Sequence, residues 1–214
     1  MEHLLELQNL HVSYHTPRGT AQAVRGVDLT LDSGEVLAVV GESGCGKSAL
    51  LKAIMRLLPE NASVTGRILV NGTDIAPYPE KQLQKLRGSL FSMVFQDPMT
   101  ALNPSMTIGA QIAEAIVVHE PKISKEALRA RVLELMELVE IDKPMERMKL
   151  YPHNFSGGMR QRAVMAIALA ARAKILLADE PTTALDVTIQ AQILDLLRDI
   201  QEKLHTATIL VSHD

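Results

Sequence analysis

The chain has 214 residues, of which 47% are hydrophobic and 22% are charged, so it is long and apolar enough to bury the core of one full domain. Its formal net charge of −3 argues against a domain whose main task is to bind nucleic-acid phosphates, because such a domain needs a strongly basic face. The single cysteine, Cys45, excludes an intramolecular disulfide and a cysteine-based metal site, and it fits a reducing compartment.

Apolar runs in the first third of the chain alternate with turn-forming residues. The runs are Leu4–Leu10, Ala23–Leu31 and Arg67–Val70. Turn chemistry separates them, at Pro17, Gly19, Ser33-Gly34 and Asn71-Gly72. This pattern predicts a small antiparallel β layer at the N-terminal end.

Four further apolar runs contain no charge, as is typical of parallel strands that are buried on both faces. They are Val36–Val40, Phe91–Phe95, Ile175–Ala178 and Thr208–Val211. Helical patterns lie between them, at Ser48–Leu58, Lys125–Val139 and Val187–Leu204. The apolar stripes of the last two helices, the second of which includes Leu204, indicate core packing, and the basic residues between Lys122 and Arg131 indicate a solvated helix face.

The stretch from Pro98 to Ala173 is too long for a simple crossover between two parallel strands. We therefore predict an α/β fold with a mostly parallel sheet, the N-terminal antiparallel layer and a helical subdomain inserted at residues 98–173, all within one domain of residues 1–214. The chain stops at Ser212-His213-Asp214, directly after a predicted strand, so we expect it to be part of a longer protein.

Residues 41–48 have the sequence Gly-Glu-Ser-Gly-Cys-Gly-Lys-Ser, which fits the phosphate-binding pattern G-x-x-x-x-G-K-[ST]. Glycines allow successive backbone N–H groups to point at phosphate oxygens, and the pattern lies between a predicted strand and a predicted helix, as its chemistry requires. Lys47 is expected to contact the β- and γ-phosphates and Ser48 to bind Mg²⁺. The nucleotide-binding residues expected in this stretch are Gly41, Ser43, Gly44, Cys45, Gly46, Lys47, Ser48 and Ala49.

Two adjacent acids follow the buried run Ile175–Ala178. A strand that ends in a carboxylate suits a Mg²⁺ site, and a second carboxylate beside it can polarise an attacking water molecule. Asp179 is therefore a candidate metal ligand and Glu180 a candidate catalytic base.

A third motif, Ser156-Gly157-Gly158, precedes an alanine-rich helical run, Arg160–Ala171. Alone it could be an ordinary helix cap. Together with the other two motifs, it makes the sequence resemble the ATP-binding cassette (ABC) family, whose Leu-Ser-Gly-Gly-Gln signature precedes the metal-binding acid. The resemblance covers essentially the whole chain and implies the P-loop NTPase fold with ATP and Mg²⁺ as ligands.

Other family markers appear in the expected order. The resemblance implies that Tyr14 stacks on adenine, that Gln96 contacts the metal, the γ-phosphate region and the membrane subunits, and that His213 contacts the γ-phosphate. Ala184-Leu185-Asp186 matches the loop that crosses to the partner subunit. Glu180, His213 and Gln96 are thus the catalytic candidates, and Ser48, Gln96 and Asp179 the metal candidates.

Finer features are similar to the branch of ATPase subunits from peptide and nickel importers. They are the stretches Phe95–Pro104, Leu150–His153 and Asp179–Asp186, together with Met159. Asn154 and Phe155 depart from the Glu-Leu that is more typical of the branch.

In this family two ATPase subunits enclose two ATP molecules head to tail, so Ser156, Gly157 and Gly158 would reach the nucleotide of the partner chain, with Asp186 at the crossing loop. The resemblance implies a second, related ATPase subunit in a heterodimer, two membrane permeases and, indirectly, an extracytoplasmic solute-binding protein. It implies no nucleic-acid partner.

The longest apolar stretch, residues 163–171, is shorter than the roughly 20 residues of a membrane span, and the N-terminus does not resemble a signal peptide. We therefore expect a peripheral location at the cytoplasmic face of the membrane.

Two other functions remain open at this stage. Chromosome-maintenance and DNA-repair ATPases use the same cassette, although they insert long coiled coils or zinc modules that this sequence lacks. A regulatory subunit or fragment could also bind ATP without hydrolysing it.

Overall fold

The structure, a computed structural model, describes residues 3–183 and 185–213. The elements are, in chain order, β1 (Leu5–Thr16), β2 (Gly19–Leu31), β3 (Val36–Val40), α1 (Lys47–Ile54), β4 (Ala62–Val70), β5 (Thr73–Asp74), α2 (Glu80–Leu86), β6 (Phe91–Val94), α3 (Pro98–Ala101), α4 (Ile108–His119), α5 (Lys125–Leu138), α6 (Pro144–Arg147), a short 3₁₀ turn (Pro152–Asn154), α7 (Gly157–Leu169), β7 (Ile175–Asp179), α8 (Val187–Leu204) and β8 (Ala207–Ser212).

An antiparallel sheet with the order β2-β1-β4-β5 forms one layer. The predicted layer is confirmed, but its first two strands are longer than the apolar runs suggested, because polar residues continue the β1–β2 hairpin as far as the pair Thr16 and Gly19. These outer residues are exposed, so hydrogen bonds of the ladder and not burial hold them in the strand.

A parallel sheet with the order β3-β8-β7-β6 forms the second layer. Successive side chains of β7 point to opposite faces, so Leu177 lies in the core beneath the antiparallel sheet while Leu176 lies in the core beneath the helices. The parallel arrangement also brings the carboxyl ends of β3, β7 and β8 to one edge, since Val40 pairs with Ser212 and Asp179 pairs with Val211.

The prediction that Val36–Val40 is buried on both faces is wrong. Strand β3 is the outermost strand of its sheet, and one of its faces leaves Val36 50% and Val40 63% exposed. Leu37 and Val39, on the other face, pack against the core. The apolar run is correct as a strand, but no described element covers its second face.

The first predicted helix also ends earlier than expected. Helix α1 ends at Ile54, and Arg56 takes a left-handed backbone conformation with φ of 54°, which stops the helix before Leu58. Strand β6 similarly ends at Val94, so Phe95 lies outside it. The predicted helix Val187–Leu204 has the bounds of α8, but Leu204 is 46% exposed and does not belong to the buried stripe.

Helices α3 to α7 all lie between β6 and β7 in the chain. With α8 they build a hydrophobic core of their own, and it includes Ile112, Leu135, Ala166 and Ile193. This core covers the face of the parallel sheet that the antiparallel layer does not cover. Among the described residues, no helix is both long and apolar enough to span a membrane.

Candidate nucleotide-binding site

The loop between β3 and α1 forms a tight turn in which the N–H of Cys45 donates to the carbonyl of Glu42. Gly44 and Gly46 have positive φ angles of 80° and 102°, and a Cβ at Gly46 would overlap the carbonyl of Ala23 in β2. Only glycine fits that position, because the left-handed backbone and the close strand both exclude a side chain. The turn therefore lies directly against the antiparallel sheet.

Helix α1 begins at Lys47 and points its amino end into this loop. Its first internal hydrogen bond runs from the N–H of Leu50 to the carbonyl of Gly46, so the N–H groups of Lys47, Ser48 and Ala49 have no partner within the helix. Free N–H groups and the positive end of the helix dipole attract an anion. The side chain of Ala49 is buried. Ala49 could therefore contact a ligand only through its backbone N–H.

Lys47 is buried although it carries a charge. Its ammonium donates to the carbonyl of Gly41 at 2.6 Å and to that of Glu42 at 2.8 Å, and it lies 3.8 Å from a carboxylate oxygen of Glu180. These contacts satisfy the buried charge. Because the two acceptors are neutral carbonyls, a phosphate can compete for the ammonium with a stronger, charge-assisted bond.

The structure joins the start of α1 to the end of β7, which are far apart in sequence. The hydroxyl of Ser48 donates to Asp179 Oδ1 at 2.7 Å. A hydroxyl and a carboxylate are oxygen ligands of the kind that Mg²⁺ prefers, and they lie beside the ammonium that would contact phosphate. The donor set therefore fits a magnesium ion that accompanies a nucleotide.

Burial raises the pKa of Asp179 above its ordinary value, and this effect outweighs the hydrogen bond from Ser48 and the charges of Lys52 and Lys47. The folded chain consequently holds a proton on Asp179 more tightly than the unfolded chain does. Stability is therefore lost as the pH rises from the ordinary pKa through the raised pKa, and above that range the ionised carboxylate destabilises the nucleotide-free fold.

We accordingly expect D179N to melt at a higher temperature than the wild type when no nucleotide is present, since asparagine removes the charge and keeps an oxygen for Ser48. A chain of this size gains about 2–4 °C for each kcal/mol of stability. Mg-ATP should stabilise the wild type and not D179N. Thermal unfolding with and without Mg-ATP measures both effects, and a lower melting temperature for nucleotide-free D179N would contradict the assignment.

Glu180 directly follows β7 and has a left-handed backbone, with φ of 45°. Its carboxylate accepts a hydrogen bond from Gln96 Nε2 at 2.7 Å and another from the hydroxyl of Thr183 at 3.1 Å. The backbone N–H of Glu180 donates to Val211 of β8. The carboxylate is thus held in place from several sides, as a group that positions a water molecule needs to be.

The side chain of Gln96 hydrogen-bonds to Glu180, and among the described residues it does not bond to Ser48 or Asp179. Gln96 therefore lies at the site, next to the candidate base, but its role as a metal ligand remains a prediction. Thr183 had no role in the sequence analysis. It lies within the stretch Asp179–Asp186, but its contact with Glu180 depends on a turn that residue periodicity does not reveal.

Two other candidates lie at the edges of the site. Tyr14 pairs with Ala21 in the β1–β2 ladder, close in sequence to Ala23, the residue whose carbonyl touches the loop. His213 follows β8 and is exposed, at the same edge of the parallel sheet as Gly41 and Glu180. A cavity of about 500 Å³ opens beside the loop, and β2, β3, Cys45 and Leu50 contribute to its lining.

The signature motif lies apart from the loop of its own chain. Ser156 caps α7 by accepting from the N–H of Met159, and a Cβ at Gly158 would come within 2.7 Å of Ile189 in α8. Asp186 likewise caps α8 by accepting from Ile189. No hydrogen bond among the described residues connects residues 156–158 with residues 41–48. Ala184 lies outside the described residues.

Cys45 is exposed at the tip of the loop, and its sulfur lies 3.8 Å from the ammonium of Lys47. A nucleotide bound by the loop would cover this thiol. We expect N-ethylmaleimide to label Cys45 and to abolish nucleotide hydrolysis, and we expect Mg-ATP to slow the labelling. C45S is the matched control and should be insensitive to the reagent. Equal labelling rates with and without Mg-ATP would place the nucleotide elsewhere.

Comparisons with known proteins show what the chain is similar to. Residues 24–183 match the family model described as ABC transporter. The chain is 55% identical to the oligopeptide transport ATP-binding protein OppD of Bacillus subtilis (strain 168), over 99% of this chain and 59% of that protein. It is 56% identical to the dipeptide transport ATP-binding protein DppD of the same organism, over 100% of this chain and 64% of that protein. The chain thus spans about three fifths of the length of these curated relatives.

Solved structures resemble the whole fold. A post-hydrolysis dimer of the ATP-binding cassette MJ0796, bound to ADP and Pi, has a TM-score of 0.86 and 29% identity, covering 98% of this chain and 88% of that chain. The structure of cbiO1 from Clostridium perfringens has a TM-score of 0.83 and 30% identity, covering 100% of this chain and 80% of that chain. These neighbours confirm the fold class predicted from the sequence.

Proposed function

The chain belongs to the ABC transporter family, and from this premise we propose that it is the ATP-hydrolysing subunit of an importer for dipeptides or oligopeptides. Relatives named for peptide transport support peptides over nickel and the other small solutes that the sequence leaves open. The observation that carries the proposal is the convergence of Lys47, Ser48, Asp179 and Glu180 at one edge of the parallel sheet.

In the proposed mechanism the loop binds the phosphates of ATP through its free N–H groups. Lys47 leaves the carbonyls of Gly41 and Glu42 and donates to the β- and γ-phosphates instead. Ser48 and Asp179 would hold Mg²⁺, which when bound neutralises charge on the phosphate oxygens. Phosphoryl transfer needs mainly positioning and charge stabilisation, and this set of residues can supply both.

Glu180 would accept a proton from the attacking water molecule. Its carboxylate now bonds to Gln96 and Thr183, so these two residues fix its direction before a nucleotide arrives. His213, at the same edge of the sheet, would contact the γ-phosphate. Tyr14 would stack on the adenine.

Each site would be completed by a second ATPase subunit, which we propose is a related but different chain. The signature motif supports this arrangement, because Ser156, Gly157 and Gly158 form no hydrogen bond with residues 41–48 in the described part of the chain. The amino end of α7, which Ser156 caps, would then bind the γ-phosphate on the partner, and Asp186 would lie at the crossing point. MJ0796, a similar cassette, is a dimer in its post-hydrolysis state.

Exposed apolar side chains next to Gln96 offer a surface for the membrane permeases. Phe95 is 41% and Met99 60% exposed. Arg160, in the first turn of α7, contacts the sulfur of Met99 and the carbonyl of Pro152 at 2.8 Å each. This surface is therefore tied to the signature helix, and we propose that the subunit binds two permeases there, at the cytoplasmic face of the membrane. The solute-binding protein would act through the permeases, and no nucleic acid takes part.

The proposal is tested with the complete subunit co-expressed with its candidate permeases. We expect co-purification, Mg-dependent phosphate release from ATP, and faster release when a peptide-loaded binding protein is added. Bound ATP without phosphate release from the assembled complex would identify a regulatory subunit instead. Failure to bind permeases would contradict the transport function.

A further inference from the structure

A second cavity, of about 650 Å³, lies at the edge of the parallel sheet opposite the nucleotide loop. We call it the basal cavity. Its polar lining includes Ser33, Ser92, Arg131, Arg172, Lys174 and His205. Strand β7 begins directly after Lys174 and ends at Asp179, so the two sites are separated by the length of the strand, on the order of 16 Å for five residues.

The basal cavity is positively charged within a chain of net charge −3. Arg131, Arg172 and Lys174 line it, while Glu134 is the one carboxylate among the described lining residues, which leaves a surplus of two positive charges. Glu134 pairs with Arg131 at 2.7 Å. The side chains of Arg172 and Lys174 form no ion pair or hydrogen bond with the described residues. The electrostatic field of these positive charges is stronger inside a concave cavity with low-dielectric walls.

The prediction that Arg131 lies on a solvated helix face is wrong. Its side chain is only 14% exposed, and its Nε is buried without a hydrogen-bond partner in the described structure. That nitrogen is closed to solvent, so it does not itself contact a ligand in the cavity, and Arg131 contributes its charge to the cavity wall beside Glu134. The helix dipole explains why basic residues such as Arg172 and His205 occur just after the ends of helices. Arg131 lies in the middle of α5 and cannot be explained in this way.

We propose that the basal cavity binds a small metabolite that carries a phosphate group. Guanidinium groups match the geometry of phosphate oxygens, and Arg131 comes from α5 while Arg172 comes from the segment between α7 and β7. Hydroxyl groups from Ser33 and Ser92 can add neutral hydrogen bonds. The volume is in the range of small-molecule sites and exceeds that of phosphate alone, so the cavity has room for an organic part beside the phosphate group. This inference does not depend on the proposed transport function.

A ligand in this position would connect α5 of the helical insertion to the residues that lead into β7 and β8. Lys174 precedes β7, which ends in Asp179 and is followed by Glu180. His205 precedes β8, which leads to His213. The basal cavity is therefore in contact with the strands that carry the candidate catalytic residues, from their opposite ends.

The test is a titration of the full chain with inorganic phosphate at constant ionic strength, followed by amide NMR signals. The nucleotide loop also binds phosphate, so the titration is repeated in K47A to weaken that site. In both proteins we expect phosphate to shift the amide signals of residues 172–174 and 205–206. We expect R172Q/K174Q to weaken this set of shifts about tenfold, as the loss of charge-assisted bonds implies. Both substituted residues are exposed, so the fold should tolerate the change.

K81Q/K85Q removes the same charge from the exposed face of α2, whose described residues line neither cavity, and should leave the affinity unchanged. Shifts that are confined to residues 41–49 and that disappear in K47A would overturn the proposal. It would also be overturned if R172Q/K174Q bound phosphate at the basal residues as tightly as K81Q/K85Q. The wild-type titration reports the two sets of amides separately, so the test holds even if K47A folds poorly.

Discussion

E180Q should bind Mg-ATP about as tightly as the wild type but hydrolyse it at least about a hundredfold more slowly. Glutamine has the shape of glutamate and can still accept the hydrogen bonds of Gln96 and Thr183, so the pocket should keep its form. It cannot accept a proton from water, and the loss of a general base typically costs two to four orders of magnitude in rate. Steady-state phosphate release and a fluorescent-nucleotide binding assay measure the two quantities.

E202Q makes the same chemical change at an exposed position of α8 and is the matched control. It should hydrolyse ATP at the wild-type rate. If E180Q released phosphate as fast as E202Q, Glu180 could not be the base, and another group would have to activate the water. If E180Q lost ATP binding as well, the carboxylate would have a structural role in the loop.

K47A should lose nucleotide affinity, and its hydrolysis should fall below detection. The ammonium is the one side-chain cation that the loop itself supplies, and a hydrogen bond to a charged group is worth about 1.5–3 kcal/mol, so binding should weaken at least about tenfold. The nucleotide-free protein should lose stability too, because the carbonyls of Gly41 and Glu42 lose their donor. Equilibrium binding of labelled ATP and thermal unfolding measure these effects.

K47R separates the effect of charge from that of geometry. Arginine keeps the charge, but its planar guanidinium cannot replace a compact ammonium between two carbonyls, so we expect K47R to resemble K47A. K203A, at an exposed position in the last turn of α8, should bind ATP normally. Wild-type affinity in K47A would show that the nucleotide binds outside the loop.

The candidate site could be predicted from the sequence because its chemistry depends on short motifs. Lys47 and Ser48 follow a glycine-rich strand end, and Asp179 and Glu180 follow another strand end. Strands that run parallel in one sheet must bring such ends to the same edge. The hydrogen bond between Ser48 and Asp179 follows directly from that topology.

Features that depend on contacts between distant segments could not be predicted in the same way. The exposure of Val36 and Val40 results from the position of β3 at the edge of its sheet, and strand order is not visible in a local apolar run. The role of Thr183 depends on the left-handed turn at Glu180. The burial of Arg131 depends on how α5 packs against α4 and α7, and the local pattern of basic residues in α5 does not reveal that packing.

The most direct measurement is a crystal structure of E180Q with Mg-ATP. We predict that the triphosphate lies in the turn of residues 41–48, with Lys47 Nζ moved from the carbonyls of Gly41 and Glu42 to the β- and γ-phosphates. The metal should contact Ser48 and lie beside Asp179. A triphosphate bound at any other place, with Lys47 still on the two carbonyls, would contradict the account.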